Sequence, residues 1–177
     1  MGGALAGASL AAAVAKAGAL GTIGITTPSR LRTSIDRVRE QAPGRAVAVN
    51  LLMPFVRRHH VAVCVEAGVD VVVLAFGEKR RLVQYLRDAG IFVFVMVGTQ
   101  TEARAAVAWG ADGLIAQGRE AGGHLVGTTP ALDFLPRALA AAGGVRCFWP
   151  AVSQPAPTPA PPWRPEPAVS LLVRDSS

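Results

Sequence analysis

The stretch Gly68-Val69-Asp70-Val71-Val72-Val73-Leu74-Ala75-Phe76-Gly77 indicates the fold of this 177-residue chain. Residues 69–75 hold four valines and form the strongest β-type run, which Phe76-Gly77 ends. Gly68 closes the amphipathic helix before this run, because glycine takes the left-handed conformation beyond a helix C-terminus without a Cβ clash. A helix, a glycine and an apolar strand therefore make one unit of the chain.

The same unit recurs along most of the sequence. The helix-ending glycines, whose spacing shrinks from 26 to 20 residues, are Gly18, Gly44, Gly68, Gly90 and Gly110. The strands are expected at residues 20–25, 46–50, 69–75, 91–97 and 113–116. Alternation of strands and helices at this length predicts parallel βα units. Five strands and six helices are expected before residue 145.

Each helix is expected to bury one apolar stripe. The predicted stripes are Leu10, Val14 and Ala17; Leu31, Ile35 and Val38; Leu82, Leu86 and Ala89; and Leu132, Leu135 and Leu139. Thr27, which precedes Pro28, and Thr101 are predicted N-caps. His59 and His60 open a helix about 100° apart, so they make a poor metal pair and are expected to be exposed.

Six helices are too many for one side of a five-stranded sheet, which leaves a doubly wound sheet or a barrel. A dinucleotide-binding fingerprint would need G-x-G-x-x-G leaving the first strand. Gly18, Gly21 and Gly24 have a different spacing and run into a strand instead. The even repeat favours a barrel, although a complete one takes about 250 residues. The expected fold is a partial TIM barrel with about five parallel strands.

Composition and charge argue against several classes of function. The formal charge of +6 comes from 16 Arg and 2 Lys spread along the chain, without the aromatic interleaving of a nucleic-acid surface. Cys64 and Cys147 show neither disulfide nor metal-ligand spacing, and Cys64 is expected in the core. Residues 2–25 are apolar, but Lys16 interrupts them and no basic segment precedes them. We therefore expect a cytoplasmic protein without metal, nucleic-acid or membrane partners.

A second stretch, Gln117-Gly118-Arg119-Glu120-Ala121-Gly122-Gly123-His124, carries the candidate chemistry. It leaves the last predicted strand as a loop. Adjacent glycines let the backbone approach a ligand closely, and the histidine can act as acid, base or hydrogen-bond donor. Asn50 ends another predicted strand, and strand ends form the active face of a barrel. A glycine turn with a surface histidine, and a turn asparagine, are the alternatives.

The run Ala116-Gln117-Gly118-x-Glu120-Ala121-Gly122-Gly123-His124 resembles the signature of the nitronate monooxygenases (2-nitropropane dioxygenases). These are flavin enzymes on a TIM barrel, and flavin-dependent enoyl reductases share much of the motif. Met1-Gly2-Gly3 resembles the loop after the family's first strand, and Val49-Asn50-Leu51 resembles the end of its third. The resemblance covers roughly residues 1–144. Gly127 departs from it, because two residues separate it from His124 where many members have one.

This resemblance implies FMN across the mouth of the barrel, and oxidation of alkyl nitronates or nitroalkanes with dioxygen. The implied FMN-binding residues are Met1, Gly2, Gly3, Asn50, Gln117, Gly122 and Gly123. The implied catalytic residue is His124, which would face the substrate. The alternatives are an enoyl reductase with a nicotinamide donor and an acyl substrate, and an inactive fragment that has lost its flavin.

The helix–strand pattern breaks after Gly144. Residues 145–177 hold eight of the thirteen prolines, so a disordered Pro/Ala-rich tail is expected and residues 145–150 are a poor strand candidate. The resemblance implies a strand before Met1 and further strands here, and barrel phosphate sites come from the loops after strands 7 and 8. We therefore expect an incomplete, truncated or out-of-frame member, with domains 1–144 and 145–177. Weak FMN binding and self-association through open sheet edges are expected.

Overall fold

The computed structural model describes residues 6–148 as parallel strands that alternate with helices. The strands are β1 (Gly21–Ile23), β2 (Val47–Leu52), β3 (Val71–Ala75), β4 (Phe92–Val97), β5 (Gly113–Ala116) and β6 (Arg146–Phe148). The α-helices are α1 (Ala8–Lys16), α2 (Pro28–Gln41), α3 (Arg58–Glu66), α4 (Arg80–Asp88), α5 (Gln100–Ala108) and α6 (Ala131–Ala142), and a 3₁₀ turn, Met53–Phe55, follows β2. None of the helices in this range is long and apolar enough to cross a membrane.

The six strands form one sheet in sequence order, and every neighbouring pair is parallel. One core cluster combines residues from all six helices with one face of the sheet. A second cluster holds strand residues of the other face, among them Ala48, Val73 and Phe94. The described helices therefore lie on one side, as in a barrel wall, whereas a doubly wound sheet carries helices on both faces. The predicted partial barrel is confirmed, with one strand more than expected.

The five helix-ending glycines stand where the repeat predicts them. Each follows one of helices α1 to α5 and has a positive φ, between 58° at Gly68 and 88° at Gly18 and Gly110. Left-handed backbone is the conformation that favours glycine, so these positions end the helices and turn the chain into the next strand.

Two aspartates join the amino ends of neighbouring strands. Asp70 Oδ2 accepts a hydrogen bond from the backbone N–H of Val47 at 2.8 Å. Asp112 Oδ2 accepts one from the N–H of Val93 at 2.9 Å, and Asp112 Oδ1 accepts another from Arg87 Nε at 3.0 Å. These bonds lie at the end of the sheet that contributes stability in barrels, opposite the end that carries chemistry.

Alanines, together with Phe134 in α6, form the buried faces of the first and last helices, and the leucines do not. The buried residues are Ala8, Ala11, Ala12 and Ala15 in α1, and Ala131, Phe134, Ala138 and Ala142 in α6. Leu10, Leu132 and Leu139 are 54%, 76% and 53% exposed. The predicted stripes of these two helices are therefore wrong. Alanine and leucine both recur with helical spacing, so spacing alone does not identify the buried face.

The predicted stripes of the two middle helices, α2 and α4, agree better with the structure. Leu31, Ile35 and Val38 are buried in α2, as predicted. In α4 the buried residues are Val83 and Leu86, while Leu82 is partly buried and Ala89 is exposed. The stripe of α4 is therefore rotated by about one residue from the predicted one.

The two predicted helix caps have different outcomes. Thr27 caps α2 through its side-chain oxygen, as predicted. Thr99, and not Thr101, caps α5: Thr99 Oγ1 accepts from the N–H of Glu102, and Glu102 Oε2 accepts from the N–H of Thr99, both at 3.2 Å. This reciprocal pair is a capping box, which satisfies two N–H groups at the start of the helix.

The short strand β6 corrects one expectation about the tail. Arg146–Phe148 pairs in parallel with β5, although residues 145–150 were expected to make a poor strand. The Phe148 ring packs edge-on against Phe94, with centroids 4.9 Å apart. Pairing with β5 and this aromatic contact therefore form the strand, although the local sequence has only a weak preference for β structure. Residues 1–5 and 149–177 lie outside the described range, so the disordered tail and the boundary after Gly144 stay predictions.

The described residues leave both ends of the sheet open. Within residues 6–148, β1 pairs only with β2, and β6 pairs only with β5. A free strand edge offers unpaired backbone groups to another chain. The predicted self-association would use these edges and stays a prediction.

The two cysteines are free thiols, and Cys64 is buried in the core as predicted. Burial raises the pKa of Cys64 to about 12 and also raises the pKa of Cys147 above its ordinary value. The desolvated thiol of Cys64 behaves as a small apolar side chain.

Two Leu→Ala changes test which helix faces are buried. Leu86→Ala in α4 should lower the free energy of unfolding by about 2–5 kcal/mol, because it leaves a cavity in the core. Leu132→Ala on the exposed face of α6 should change it by less than about 0.5 kcal/mol. Urea unfolding followed by circular dichroism measures both. An equal loss in the two variants would mean that α6 buries its leucines.

Candidate active site

Asn50 lies in β2, two residues before the carboxyl end of the strand, and not at the very end as predicted. It pairs in register with Val73 of β3, so its side chain lies on the face of the sheet opposite the helices. Asn50 is 1% exposed, and its Oδ1 atom is buried without a hydrogen-bond partner among residues 6–148. Leaving such a group unpaired costs about 1–3 kcal/mol. An unpaired buried acceptor at a strand end is therefore the first mark of a ligand site.

Gln117 follows β5 directly and ties the next loop to the sheet. Its backbone N–H donates to the carbonyl of Val97 at the end of β4, at 2.8 Å. Its side-chain Oε1 accepts from the N–H of Val126 at 2.8 Å, and its Nε2 donates to the carbonyl of His124 at 3.3 Å. Gln117 is 5% exposed, so water competes little for these bonds. Both ends of one amide thus close the loop that carries the histidine.

Close backbone contacts at two glycines support the same loop. A Cβ atom on Gly127 would collide with the backbone of Gly98, which follows β4. A Cβ atom on Gly98 would likewise collide with the backbone of Gly127. A Cβ atom on Gly118 would collide with Ala131 at the start of α6. Gly127, the position that departs from the family pattern, therefore allows the loop after β5 to pack on the end of β4.

Glu120 connects the loop to the last helix. Its Oε2 accepts a hydrogen bond from the N–H of Ala131, the first residue of α6, at 2.9 Å. The residue at the N-cap, Pro130, has no side-chain acceptor. The pKa of Glu120 is lowered mainly by this bond with the Ala131 N–H. A bond with its own backbone N–H and the charge of Arg119 lower it further. The signature glutamate therefore acts as a helix cap at neutral pH, and the cap weakens as the carboxylate protonates.

The tip of the loop holds the remaining predicted residues. Gly122, Gly123 and His124 are exposed, and no group among residues 6–148 hydrogen-bonds the imidazole of His124. Gly123 has a φ of 81°, which favours glycine. No atom lies within 4 Å of the position that a Cβ on Gly122 would take. The tip is therefore open to a ligand.

Some of the predicted site residues contact one another. Others share only the carboxyl edge of the sheet. Gln117 contacts the His124 backbone, and Gly122 and Gly123 lie between them. Asn50 lies on β2, with β3 and β4 between it and β5, near the same carboxyl edge of the sheet. Met1, Gly2 and Gly3 lie outside the described residues.

His60 has a role that the sequence reading missed. It is 6% exposed, so the expectation that both histidines are exposed is wrong for His60 and right for His59. Its Nδ1 accepts from the N–H of Arg57 at 3.0 Å, and its Nε2 must donate to the carbonyl of Thr26 at 2.9 Å, because a carbonyl only accepts. His60 therefore joins the loops after β1 and β2 at the same edge. Adjacent residues on a helix point about 100° apart, and this angle was the sequence signal that one of the two histidines faces inward.

Comparisons with known proteins agree with this architecture. The family model described as nitronate monooxygenase matches residues 39–141. The structure of nitroalkane oxidase from Streptomyces ansochromogenes superimposes with a TM-score of 0.77 at 28% identity, over 84% of this chain and 56% of that one. A FabK mutant from Thermotoga maritima gives a TM-score of 0.74 at 30% identity, over 81% and 48% of the two chains.

Two curated relatives extend the comparison. The (3aS,4S,5R,7aS)-5-hydroxy-7a-methyl-1-oxo-octahydro-1H-indene-4-carboxyl-CoA dehydrogenase of Mycobacterium tuberculosis is 34% identical over 143 residues, 79% of this chain and 40% of that protein. The nitronate monooxygenase of Neurospora crassa is 44% identical over 54 residues, 30% of this chain and 14% of that protein. The chain thus spans less than half the length of either relative.

Two substitutions at Gln117 test the loop closure. Gln117→Ala removes the acceptor of the Val126 N–H, so exchange of this amide with deuterium should accelerate about tenfold, as expected for a lost bond of about 1 kcal/mol or more. Gln117→Glu keeps an oxygen acceptor and should leave the Val126 amide protected. Hydrogen exchange measured by NMR distinguishes the two. Unchanged protection in Gln117→Ala would contradict the closure.

A matched pair of glycine substitutions tests the support of the loop. Gly127→Ala should lower the free energy of unfolding by about 1–3 kcal/mol, since its methyl group meets fixed backbone atoms of Gly98. Gly122→Ala places its methyl group in open space and should cost less than about 0.5 kcal/mol. Urea unfolding compares them, and equal costs would refute the contact.

Proposed function

The chain belongs to the nitronate monooxygenase family, and from this premise we propose that it serves the FMN-dependent oxidation of alkyl nitronates or nitroalkanes with dioxygen. Members of this family are flavin oxidoreductases. The observation that carries the proposal is the buried Oδ1 of Asn50, an acceptor without a partner among residues 6–148. It lies near the strand edge from which the His124 loop rises.

The side chains and backbone at this edge fit a flavin. Asn50 offers a buried acceptor to an N–H group of the cofactor, which would repay the cost of its unpaired oxygen. Gln117 keeps a second Nε2–H beyond its bond to the loop. Gly122 leaves open space where the ribityl-phosphate chain is proposed to pass. When bound, FMN supplies a two-electron acceptor that dioxygen reoxidises.

Two further parts of the proposed FMN site rest on the family resemblance. Gly123 is proposed to line the path of the ribityl-phosphate chain together with Gly122. The backbone of Met1, Gly2 and Gly3 is proposed to approach the isoalloxazine, although these three residues lie outside the described range.

His124 is the proposed catalytic residue. Its ring is exposed, and its backbone is anchored by Gln117, so the loop presents the imidazole without burying it. An unprotonated ring nitrogen can take the α-proton of a neutral nitroalkane. A ring N–H can instead donate a hydrogen bond to a nitro oxygen of an anionic nitronate. The anchor matters because a fixed loop limits the positions that the imidazole can take.

A second candidate function acts on acyl thioesters. The relative from Mycobacterium tuberculosis is named as a dehydrogenase of a CoA thioester, and the fold is similar to FabK. Both favour a flavin-dependent reaction on a thioester, with a nicotinamide donor if the protein is an enoyl reductase. Oxygen consumption with a nitronate supports the first proposal, whereas NADH or NADPH consumption with a crotonyl thioester supports the second. A purified chain that shows no flavin absorbance after incubation with FMN and removal of the unbound FMN would support an inactive fragment.

Asn50→Ala tests the proposed flavin contact separately from turnover. It should weaken FMN binding about tenfold or more, which corresponds to at least about 1.4 kcal/mol. The melting temperature should stay within a few degrees, because removing the unpaired oxygen offsets part of the lost packing. Quenching of FMN fluorescence gives the affinity, and circular dichroism gives the melting temperature. Unchanged FMN affinity would remove Asn50 from the site.

His124→Ala tests the proposed catalytic role. In the flavin-loaded protein it should reduce nitroalkane turnover by about 100-fold or more, while the melting temperature changes little because the side chain is exposed. His59→Ala, at another exposed histidine, is the matched control and should keep full turnover. Oxygen consumption measures the rates. A large loss of stability with retained turnover would assign His124 to folding.

A further inference from the structure

A cavity lies between the loop after β3 and helix α5. Its volume is about 260 Å³, and Lys79, Val95 and Trp109 are among its lining residues. Gly77, Glu78 and Thr101 also line it, and all three are exposed, so they form its mouth. The cavity is therefore reachable from solvent.

This cavity is separate from the candidate active site. Val95 of β4 belongs to the core between the sheet and the helices. Its neighbour Phe94 points to the opposite face, where Asn50 also lies. A ligand in this cavity would thus be on the other side of the sheet from a flavin at Asn50.

Lys79 is the unusual residue of the cavity. It is 4% exposed at the start of α4, and within residues 6–148 no acceptor hydrogen-bonds its ammonium nitrogen. The nitrogen lies 5.9 Å from the centre of the Trp109 ring, within cation–π range. Burial lowers the pKa of Lys79 below its ordinary value, and the charge of Glu102 opposes this shift. A larger share of this amine is therefore unprotonated, and nucleophilic, than in an exposed lysine.

The lining of the cavity selects the class of ligand. Val95, Ala105 and Trp109 provide apolar walls, and the charged groups are one lysine and the carboxylates of Glu78 and Glu102. This balance favours a neutral molecule over an anion. The volume lies below the roughly 300–1,000 Å³ of drug-sized sites, so the ligand must be small. A buried amine in an apolar pocket suits a carbonyl carbon.

We propose that Lys79 binds a small aldehyde or ketone covalently in this cavity, as an imine. The nitrogen lone pair attacks the carbonyl carbon, and one N–H proton passes to the carbonyl oxygen to give a neutral carbinolamine. Loss of the hydroxyl group and the remaining N–H proton as one molecule of water then gives the C=N bond. No electrons are gained or lost overall. Water that reaches the amine through the exposed mouth of the cavity can carry the protons.

The chain offers a built-in control, because its only lysines are Lys16 and Lys79, and Lys16 is exposed. The folded 177-residue protein is incubated at pH 7 with butanal and sodium cyanoborohydride, which traps imines as stable amines. Peptide mass spectrometry then gives the labelling rate at each lysine. We expect Lys79 to be labelled at least tenfold faster than Lys16, and the two rates to become equal in urea.

Two further labelling experiments distinguish binding of the aldehyde in the cavity from the general reactivity of an amine. An aldehyde carried on a dextran polymer cannot enter a cavity of about 260 Å³, so it should label Lys16 and spare Lys79 in the folded protein. Glu102→Gln keeps an oxygen for the capping box but removes the charge that raises the pKa of Lys79, so labelling of Lys79 should accelerate while that of Lys16 stays unchanged. Equal or slower labelling of Lys79 by butanal in the folded wild type would overturn the proposal, as would equal labelling by both aldehydes.

Discussion

The close contact between the backbones of Gly98 and Gly127 is the constraint on which the candidate site depends. It brings the loop after β5 against the end of β4 at a distance that no side chain allows. The Gln117 amide then closes this loop from within, and Glu120 joins it to the start of α6. A glycine-rich segment, which would otherwise be mobile, is thereby fixed at several points. His124 is left at its exposed tip.

The two faces of the sheet differ in what they bury. The helix side buries the alternating apolar residues of every strand and supplies most of the stability. The other face carries Asn50, whose unpaired oxygen lowers stability in the described chain. Proteins retain such costs at sites where a ligand repays them. The amino ends of the strands, in contrast, are closed by Asp70 and Asp112, which satisfy backbone N–H groups. The stabilising aspartate bonds and the proposed ligand site thus lie at opposite ends of the same strands.

Much of the fold could be predicted, because its signals are local: a left-handed glycine after each helix and a β-branched run after each glycine. The errors arise where tertiary contacts decide. The helical period of Leu132 and its neighbours is the same as that of the alanines that are actually buried, so spacing alone could not choose the face. Strand β6 forms because β5 offers it backbone partners. At the site, the place of Asn50 near the carboxyl edge of the sheet was predictable, but its exact position in β2 and its unpaired oxygen were not. His60 and Lys79 are buried by residues distant in sequence.

The most direct test of the proposed site is an NMR titration of the ¹⁵N-labelled 177-residue chain with FMN. We expect saturable shifts of the Asn50 side-chain amide and of the backbone amides of Gly122 and Gly123. The NMR signal of the indole N–H of Trp109, which lines the cavity at Lys79, should not shift. An Asn50 amide that does not shift while FMN binds elsewhere, or shifts confined to Trp109 and its neighbours, would contradict a flavin site at the carboxyl ends of the strands.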